Sequence, residues 1–443
     1  MRHGSHFSRL LLPLFSSLGI LSATHYASVV CAEVVVTPLR TVITLPATEI
    51  KLPDAEPAKP VNPGETNTSA AKLADKPLDK RAFVALILPL ASRLLAQVAD
   101  ALRAGFVAAA DVTGGEKIIP RIYIAEDEAV SLAMLYRKAK SEGAIAIVAG
   151  LTREGAAVVA RESGYLPTLA LNTPSEISNI EANNFFHISL TLDNDARLAA
   201  RAAMQDGHRN VTLITSQAAL SKRIQEAFEK EWLKLGGSVV AKIGVNGDVS
   251  DGGKIRAEMA KRNTVKADVV FIAADMRVAR AVRPFLPQGL PVYATSQSFL
   301  PYAGVVDNLD LDSVRYLEMP WFAERDHAAV MAYPRPATAT SVDYERLYAL
   351  GIDAWRVMLA LLPLEQITAA GSTQKNPEGE ARDRNNSNIS DIVSGITNRN
   401  SAAKFNPIDG VTGRISLEGN QLNRSLTLLE MRDGKPQLVK SAE

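Results

Sequence analysis

Between residues 82 and 296 two patterns alternate with little interruption. One is a short, continuous apolar run; the other is a longer stretch with apolar residues every three or four positions. A run such as Ala82-Phe-Val-Ala-Leu-Ile-Leu88 has no polar side, so it fits a strand covered on both faces. The segment after it, Ala91 to Ala110, carries Leu94, Leu95, Val98, Leu102 and Phe106 at mostly helical spacing. Further strands are predicted at 118–124, 144–148, 167–171, 186–190, 211–215, 238–245, 267–274 and 291–295. Helices are predicted at 131–141, 152–162, 193–205, 220–235, 253–262 and 276–282, with Asp193 as a helix N-cap. Sustained alternation of this kind requires the α/β class, with mainly parallel sheets flanked by helices. The strands fall into two groups, about 82–190 and 208–296, which predicts two lobes.

The flanks read differently. Arg2 and Arg9 precede the apolar stretch Leu10 to Leu21, and Ser28-Val-Val-Cys-Ala-Glu33 follows, so 1–32 reads as a signal peptide. Two processing routes fit: cleavage after Ala32, or lipidation of Cys31, although Val30 is larger than a lipoprotein signal prefers. Either route exports the chain. Residues 33–80 hold seven of the 23 prolines and no aromatic residue, the composition of an extended linker. Beyond the alternating region, Ser341 to Leu362 reads as one long helix and 366–404 as a mobile polar loop. Strands are expected around Gly413 to Asn420 and Arg424 to Asp433.

Composition excludes several functions. Lys+Arg is 49 against Asp+Glu 48, a balance unlike the basic excess of nucleic-acid binders. Cys31 is the one cysteine, which rules out a disulfide framework or a cysteine zinc site. No apolar run after the N-terminus is long enough for a membrane span, leaving a lipid anchor as the route to a membrane. The six histidines are scattered, and His187 and His208 read as structural. Glu126-Asp127-Glu128 reads as the acidic first turn of a helix. Ser69-Ala-Ala-Lys72 and Ser401-Ala-Ala-Lys404 match a serine-nucleophile spacing, but neither sits on a predicted strand or helix. No Gly-rich phosphate loop is present, so no dinucleotide cofactor is expected, and the one cysteine and the widely spaced histidines point away from a metal.

Ligands of open α/β sheets sit beyond the carboxyl ends of the strands. Those ends offer Thr152, Arg153, Asn172, Thr173, Ser216, Gln217, Asp275 and Ser296 as candidates to line an inter-lobe cleft. Arg153 suits a carboxylate, and the hydroxyl and amide groups suit hydrogen bonds to a small ligand. The same residue types are also favoured helix N-caps, so for Thr152 and Asn172 both readings stand and for the others capping is favoured.

Six segments, in order, carry a resemblance: Val84-Ala-Leu-Ile-Leu-Pro-Leu90, Ala104-Gly-Phe-Val-Ala-Ala109, Leu169-Ala-Leu-Asn-Thr-Pro174, Glu231-Trp-Leu-Lys-Leu-Gly-Gly237, Arg346-Leu-Tyr-Ala-Leu-Gly-Ile-Asp-Ala-Trp355 and Gly410-Val-Thr-Gly-Arg-Ile-Ser416. Over about 81–440 the sequence resembles the C-terminal domain of the penicillin-binding protein activator LpoA (LppC) family. More broadly it is similar to type I periplasmic solute-binding proteins. The resemblance implies a two-lobed type I periplasmic-binding-protein-like fold over 81–443. One lobe would hold about 81–190 plus 320–365, the other about 191–319 plus 405–440. It also implies a non-enzymatic protein of the periplasm, in a family typically anchored to the outer membrane. Its implied role is to stimulate peptidoglycan synthesis by contact with a class A bifunctional penicillin-binding protein. The alternative is a solute-binding protein that delivers an amino acid or similar small ligand to a transporter. Amino-acid binders of this fold carry small hydroxyl residues after the third strand, where this chain has Gly150-Leu-Thr-Arg-Glu154.

Overall fold

The computed structural model describes residues 81–113, 117–175, 184–248, 250–261, 266–336, 341–362 and 405–439. The signal peptide, Cys31, the linker, the polar loop at 366–404 and both serine-lysine spacings lie outside the described residues.

The first lobe opens with β1 (Ala82–Leu88), α1 (Ala96–Val112), β2 (Ile118–Ile124), α2 (Glu128–Ser141), β3 (Ala146–Ala149), α3 (Arg153–Glu162), β4 (Thr168–Ala170) and β5 (Phe185–His187). The chain then crosses to a second lobe. That lobe holds α4 (Leu192–Gln205), β6 (Asn210–Ser216), α5 (Ala219–Lys234), β7 (Ser238–Val245), α6 (Asp251–Met259), β8 (Val269–Ala273), α7 (Met276–Val282), β9 (Val292–Ala294), α8 (Val305–Asn308) and β10 (Val314–Glu318). A second crossing leads to α9 (Pro320–Ala323), α10 (Ala328–Met331) and the long α11 (Val342–Leu361), which packs on α1. The last elements are β11 (Ile408–Asp409), β12 (Arg414–Glu418), β13 (Gln421–Ser425), β14 (Thr427–Arg432) and β15 (Lys435–Leu438).

Two mainly parallel sheets result. The first runs β11-β12-β13-β5-β4-β3-β1-β2 and the second β15-β14-β10-β9-β8-β6-β7. Strand β1 shows why the continuous apolar runs are needed. Val84, Leu86 and Leu88 enter the core shared with α1 and α11, while Phe83, Ala85 and Ile87 enter the core under α2 and α3. Strand β8 repeats the division in the second lobe, with Val270 and Ile272 on one side and Val269, Phe271 and Ala273 on the other.

Three expectations need correction. Residues 405–440 were expected together in the second lobe. Instead β11, β12 and β13 extend the first sheet, where β13 pairs parallel to β5 through Gln421 and His187, and only β14 and β15 join the second. The single strand expected over Arg424 to Asp433 is therefore two strands in two different sheets, split at Leu426. The crossing is the single residue Leu426, with no glycine or proline beside it, so the sequence carries no strong turn signal there. Asp193 is not the cap of α4. Thr191 holds the N-cap position, and Asp193 in the first turn pairs with Arg223 at 2.8 Å.

Helices α1 and α11 approach closely because each has a glycine at the contact. A Cβ on Gly105 would lie 1.9 Å from the Tyr348 carbonyl oxygen, and one on Gly351 would lie 2.1 Å from that of Leu102. Phe106 and Trp355 meet edge-to-face beside them at 5.1 Å, and the Trp355 indole N–H donates to Thr113 Oγ1 at 2.8 Å. Both obstacles are backbone and cannot rotate away. Gly351→Ala should therefore lower stability by about 1–3 kcal/mol or more, despite alanine's better helix propensity. A urea midpoint equal to or above the parent's would show that the helices can separate without loss.

Candidate functional site

The sequence-predicted residues divide into groups. Thr152, Asn172 and Thr173 come together around the turn after β3. The Thr152 hydroxyl caps α3, accepting from the Gly155 N–H at 2.9 Å, and donates to Glu128 Oε2 at 2.7 Å. The Leu151 and Thr152 N–H groups donate to the two Glu128 carboxylate oxygens, each at 2.8 Å. Asn172 donates to the Leu151 carbonyl at 2.9 Å and accepts from the Thr173 N–H, and Thr173 Oγ1 lies 3.4 Å from Ser189 Oγ. Arg153 is exposed.

On the second lobe, Ser216 is buried against Ser221 at 2.8 Å, and Gln217 is exposed. Asp275 caps α7 through the Val278 N–H at 2.9 Å. Ser296 is buried and sits elsewhere, 3.4 Å from Asp195 Oδ2.

Glu128 changes what the strand ends can do. It sits in the first turn of α2, and Asp127 beside it is the N-cap. Its carboxylate turns across to the start of α3 and takes two N–H groups and a hydroxyl there. Burial pushes this carboxyl upward, while the bonds from Thr152 and Leu151 pull it down. A Cβ at Gly155 would lie 2.2 Å from Glu128 Oε2, so the glycine is what admits the carboxylate.

The densest charge lies where the chain crosses between lobes, in residues that sequence reasoning did not single out. A cavity of about 140 Å3 is lined by Leu190 and Leu192 of the first crossing, Glu318 and Met319 of the second, and Arg424 and Leu426 of the third, together with Asp195, Ser296, Asp343 and Arg346. Two ion pairs join the lobes there. Arg346 on α11 donates to Glu318 at 2.9 Å, and Arg424 on β13 lies 3.6 Å from Asp195 on α4. Burial pushes the Asp195 and Glu318 carboxyls upward, with Arg424 and Arg346 opposing, and it pushes Arg424 downward.

Arg424 also donates to the carbonyls of Ser189 at 3.1 Å and Thr412 at 3.0 Å, which ties the first crossing to the turn before β12. Asp353 on α11 holds that turn. Its carboxylate accepts from the Val411 N–H at 3.0 Å, the Thr412 N–H at 2.7 Å and the Thr412 hydroxyl at 2.6 Å. Gly410 leaves room for it, since a Cβ there would meet Asp353 Oδ2 at 2.6 Å. Gly413, at φ 133°, makes the turn into β12. The one sequence signal for this arrangement is the i, i+7 placement of Arg346 and Asp353, which puts both charges on one face of α11.

That tie connects two of the segments that carry the resemblance, the Arg346–Trp355 helix and the Gly410–Ser416 turn, and a family model matches the larger part of the chain. The "LppC putative lipoprotein" family matches residues 71–372. The chain belongs to the LppC family. Curated relatives include the penicillin-binding protein activator LpoA of Enterobacter sp. (strain 638), 25% identical over 275 residues, covering 53% of this chain and 38% of the relative. LpoA of Klebsiella pneumoniae (strain ATCC 700721 / MGH 78578) is 27% identical over 256 residues, covering 51% and 36%. This LppC chain thus aligns with well under half the length of those relatives.

Among solved structures, the LpoA C-domain of Haemophilus influenzae, "a regulator of PBP1A", aligns with a TM-score of 0.60 at 18% identity, covering 81% of this chain and 100% of that one. A "putative branched-chain amino acid ABC transporter" structure from Chromobacterium violaceum ATCC 12472 aligns at 0.59 and 28% identity, covering 79% and 100%. The fold of this LppC protein is the two-lobed one of the LpoA C-domain and type I periplasmic binding proteins.

Two outcomes should follow. Asp353→Ala leaves two buried N–H groups and a hydroxyl without their acceptor, at about 1–3 kcal/mol for each unmet group. It should destabilise the protein by several kcal/mol in denaturant titration, whereas Thr191→Ala should change little. His187 is buried and burial pushes its imidazole downward. The unfolded chain then binds the proton more readily, so stability present above the ordinary histidine pKa of about 6.5 is lost progressively as pH falls below it. His187→Phe should flatten that part of the stability-against-pH curve, and an unchanged slope would assign it to other groups.

Proposed function

We propose that this protein is a non-enzymatic regulator in the cell envelope that stimulates peptidoglycan synthesis by binding a class A bifunctional penicillin-binding protein. The observation that carries this reading is the LppC match over 71–372, joined to curated relatives named as penicillin-binding protein activators. In this reading the two-lobed region presents the contact surface, residues 33–80 give it reach, and 1–32 direct export. Cys31 is then either the anchoring residue or part of what is removed.

A second reading, a solute-binding protein of a transporter, draws on the 28% identity to the Chromobacterium violaceum structure. The turn after β3 favours the first. A free amino acid held there would need hydroxyl and N–H donors for its carboxylate. Thr152 and Leu151 already give theirs to the carboxylate of Glu128. Displacing it would leave that acid desolvated and unbonded.

Calorimetric titration with the soluble periplasmic part of the host's class A penicillin-binding protein tests the proposal, with glycan polymerisation measured on the same mixtures. Saturable heat and faster polymerisation are expected. No heat with the enzyme, together with tight uptake of an amino acid that Thr152→Ala abolishes, would replace the regulator with a transport receptor.

A further inference from the structure

Exposed apolar side chains gather in one short segment of the second lobe. Between β9 and β10, the segment 300–309 carries Leu300, Tyr302, Val305, Val306 and Leu309, all exposed, with Val306 at 77%. The segment is anchored at both ends. Phe299 before it is buried with its ring stacked on Tyr316, and Leu311 after it is fully buried. Within it, the Asp307 carboxylate accepts from the Gly304 N–H at 3.2 Å, and Asn308 is buried. Anchored neighbours, not slack chain, therefore hold these side chains outward. A contiguous apolar patch on a folded surface is a mark of an interaction site.

Tyr302 gives the patch a fixed aromatic and a charge beside it. Its hydroxyl donates to Glu345 Oε1 on α11 at 2.5 Å, and its ring meets Phe322 edge-on at 6.0 Å. The polar end is thus satisfied, while the residue stays 53% exposed. The Arg325 guanidinium lies 5.4 Å from the centre of that ring. Arg325 is exposed and has no ion pair among the described residues, Asp326 next to it included. Arg335 is committed elsewhere. It stacks on Trp321 at 3.9 Å, donates to the Trp321 carbonyl at 2.8 Å and lies 3.7 Å from Glu345. Burial first, and then Arg325, push Arg335 downward, so two like charges crowd this edge. A held tyrosine and an unpaired arginine beside an apolar strip have the composition of a protein-binding hot spot.

We propose that the segment 300–309, together with Arg325, is the docking surface for the penicillin-binding protein, and that it takes an apolar segment of that partner flanked by a carboxylate. The strip covers the partner's apolar side chains, and Arg325 pairs with the acid. The strip's own carboxylates and that of the nearby Asp312 are already engaged: Asp307 on the Gly304 N–H, Asp310 with Arg280 at 3.1 Å, and Asp312 on the Asp433 N–H at 3.0 Å. A second copy of this chain brings no free acid from this strip to Arg325, which favours a different protein. The proposal rests on the regulator reading and adds to it where the partner sits. Because Tyr302 of the second lobe is bonded to α11 of the first, a partner seated there touches the joint between the lobes.

The test is calorimetric titration of the full protein and of single variants with the soluble periplasmic part of the host's class A penicillin-binding protein. Val306→Glu and Arg325→Glu should each weaken binding by about tenfold or more. Val130→Glu, at an equally exposed position on α2 of the first lobe, should leave the affinity unchanged. All three residues are exposed, so urea midpoints equal to the parent's are expected and show that each variant is folded.

A parent that binds while Val306→Glu and Arg325→Glu bind as tightly would overturn this surface and leave the regulator reading standing. Weakening by only one of the two would overturn the pairing of an apolar strip with an acid. A parent that gives no heat with the enzyme would overturn the regulator reading itself, and the partner named here with it. Sedimentation of the parent alone separates the other occupant. A concentration-dependent dimer that Val306→Glu abolishes would give the surface to a second copy and overturn the proposal.

Discussion

The carboxylate of Asp353 fixes the path of the chain's return. It lies in the middle of α11, which is itself set against α1 by two glycine contacts, and it accepts three hydrogen bonds from two consecutive residues of the turn before β12. With that turn anchored, the β12–β13 hairpin lies against β5. Arg424 is carried to the crossing, and Leu426 becomes the point where the chain leaves the first sheet for the second. The Arg424–Asp195 pair depends on this placement, because Arg424 reaches Asp195 only if β13 is the strand beside β5. A buried carboxylate bonded to backbone N–H groups is an expensive device in isolation. Here it is compensated by full satisfaction of the acceptor and by the order it imposes on three elements.

The α/β class and the strands β1 to β9 were legible in the sequence, whereas β10, β11 and β15 were not expected. A strand sandwiched between two helical layers must be apolar on both sides, and runs such as 82–88 and 267–274 show that directly. The long helix at 341–362 was legible for the same reason. What was not read is the third place where the chain changes lobe, at Leu426. At Leu426 one residue separates the end of β13 from the start of β14, and no glycine or proline stands beside it. No turn residue marks the place, because the crossing is a single leucine.

The candidate site was less legible than the fold. Thr152 and Asn172 were singled out as either ligands or caps. The structure shows Thr152 capping α3 and Asn172 bracing the turn, both within a network that includes Glu128. Glu128 itself was read only as an acid suited to a helix start, which is true of its position but not of what its carboxylate does. Asp195, Glu318, Arg346 and Arg424 went unremarked, since a charge in sequence looks the same whether it faces solvent or another charge. Their burial comes from three chain segments, far apart in sequence, meeting at the hinge. Only the seven-residue interval between Arg346 and Asp353 on one helix carries a trace of it.

The interleaving of the lobes also sets the order in which they can form. The parallel core of the second lobe, from α4 to β10, is one continuous stretch of chain and needs nothing that follows it to pair its five strands. The first lobe is interrupted by that stretch. Its outer strand β13 and the α11 that covers its sheet come more than a hundred residues after β5. During synthesis the second lobe can therefore close while the first is still an open sheet with its β5 edge bare. Strand β13 covers that edge and β14, followed by β15, extends the second sheet within a few residues of it, so completion of both lobes waits on the same short piece of chain.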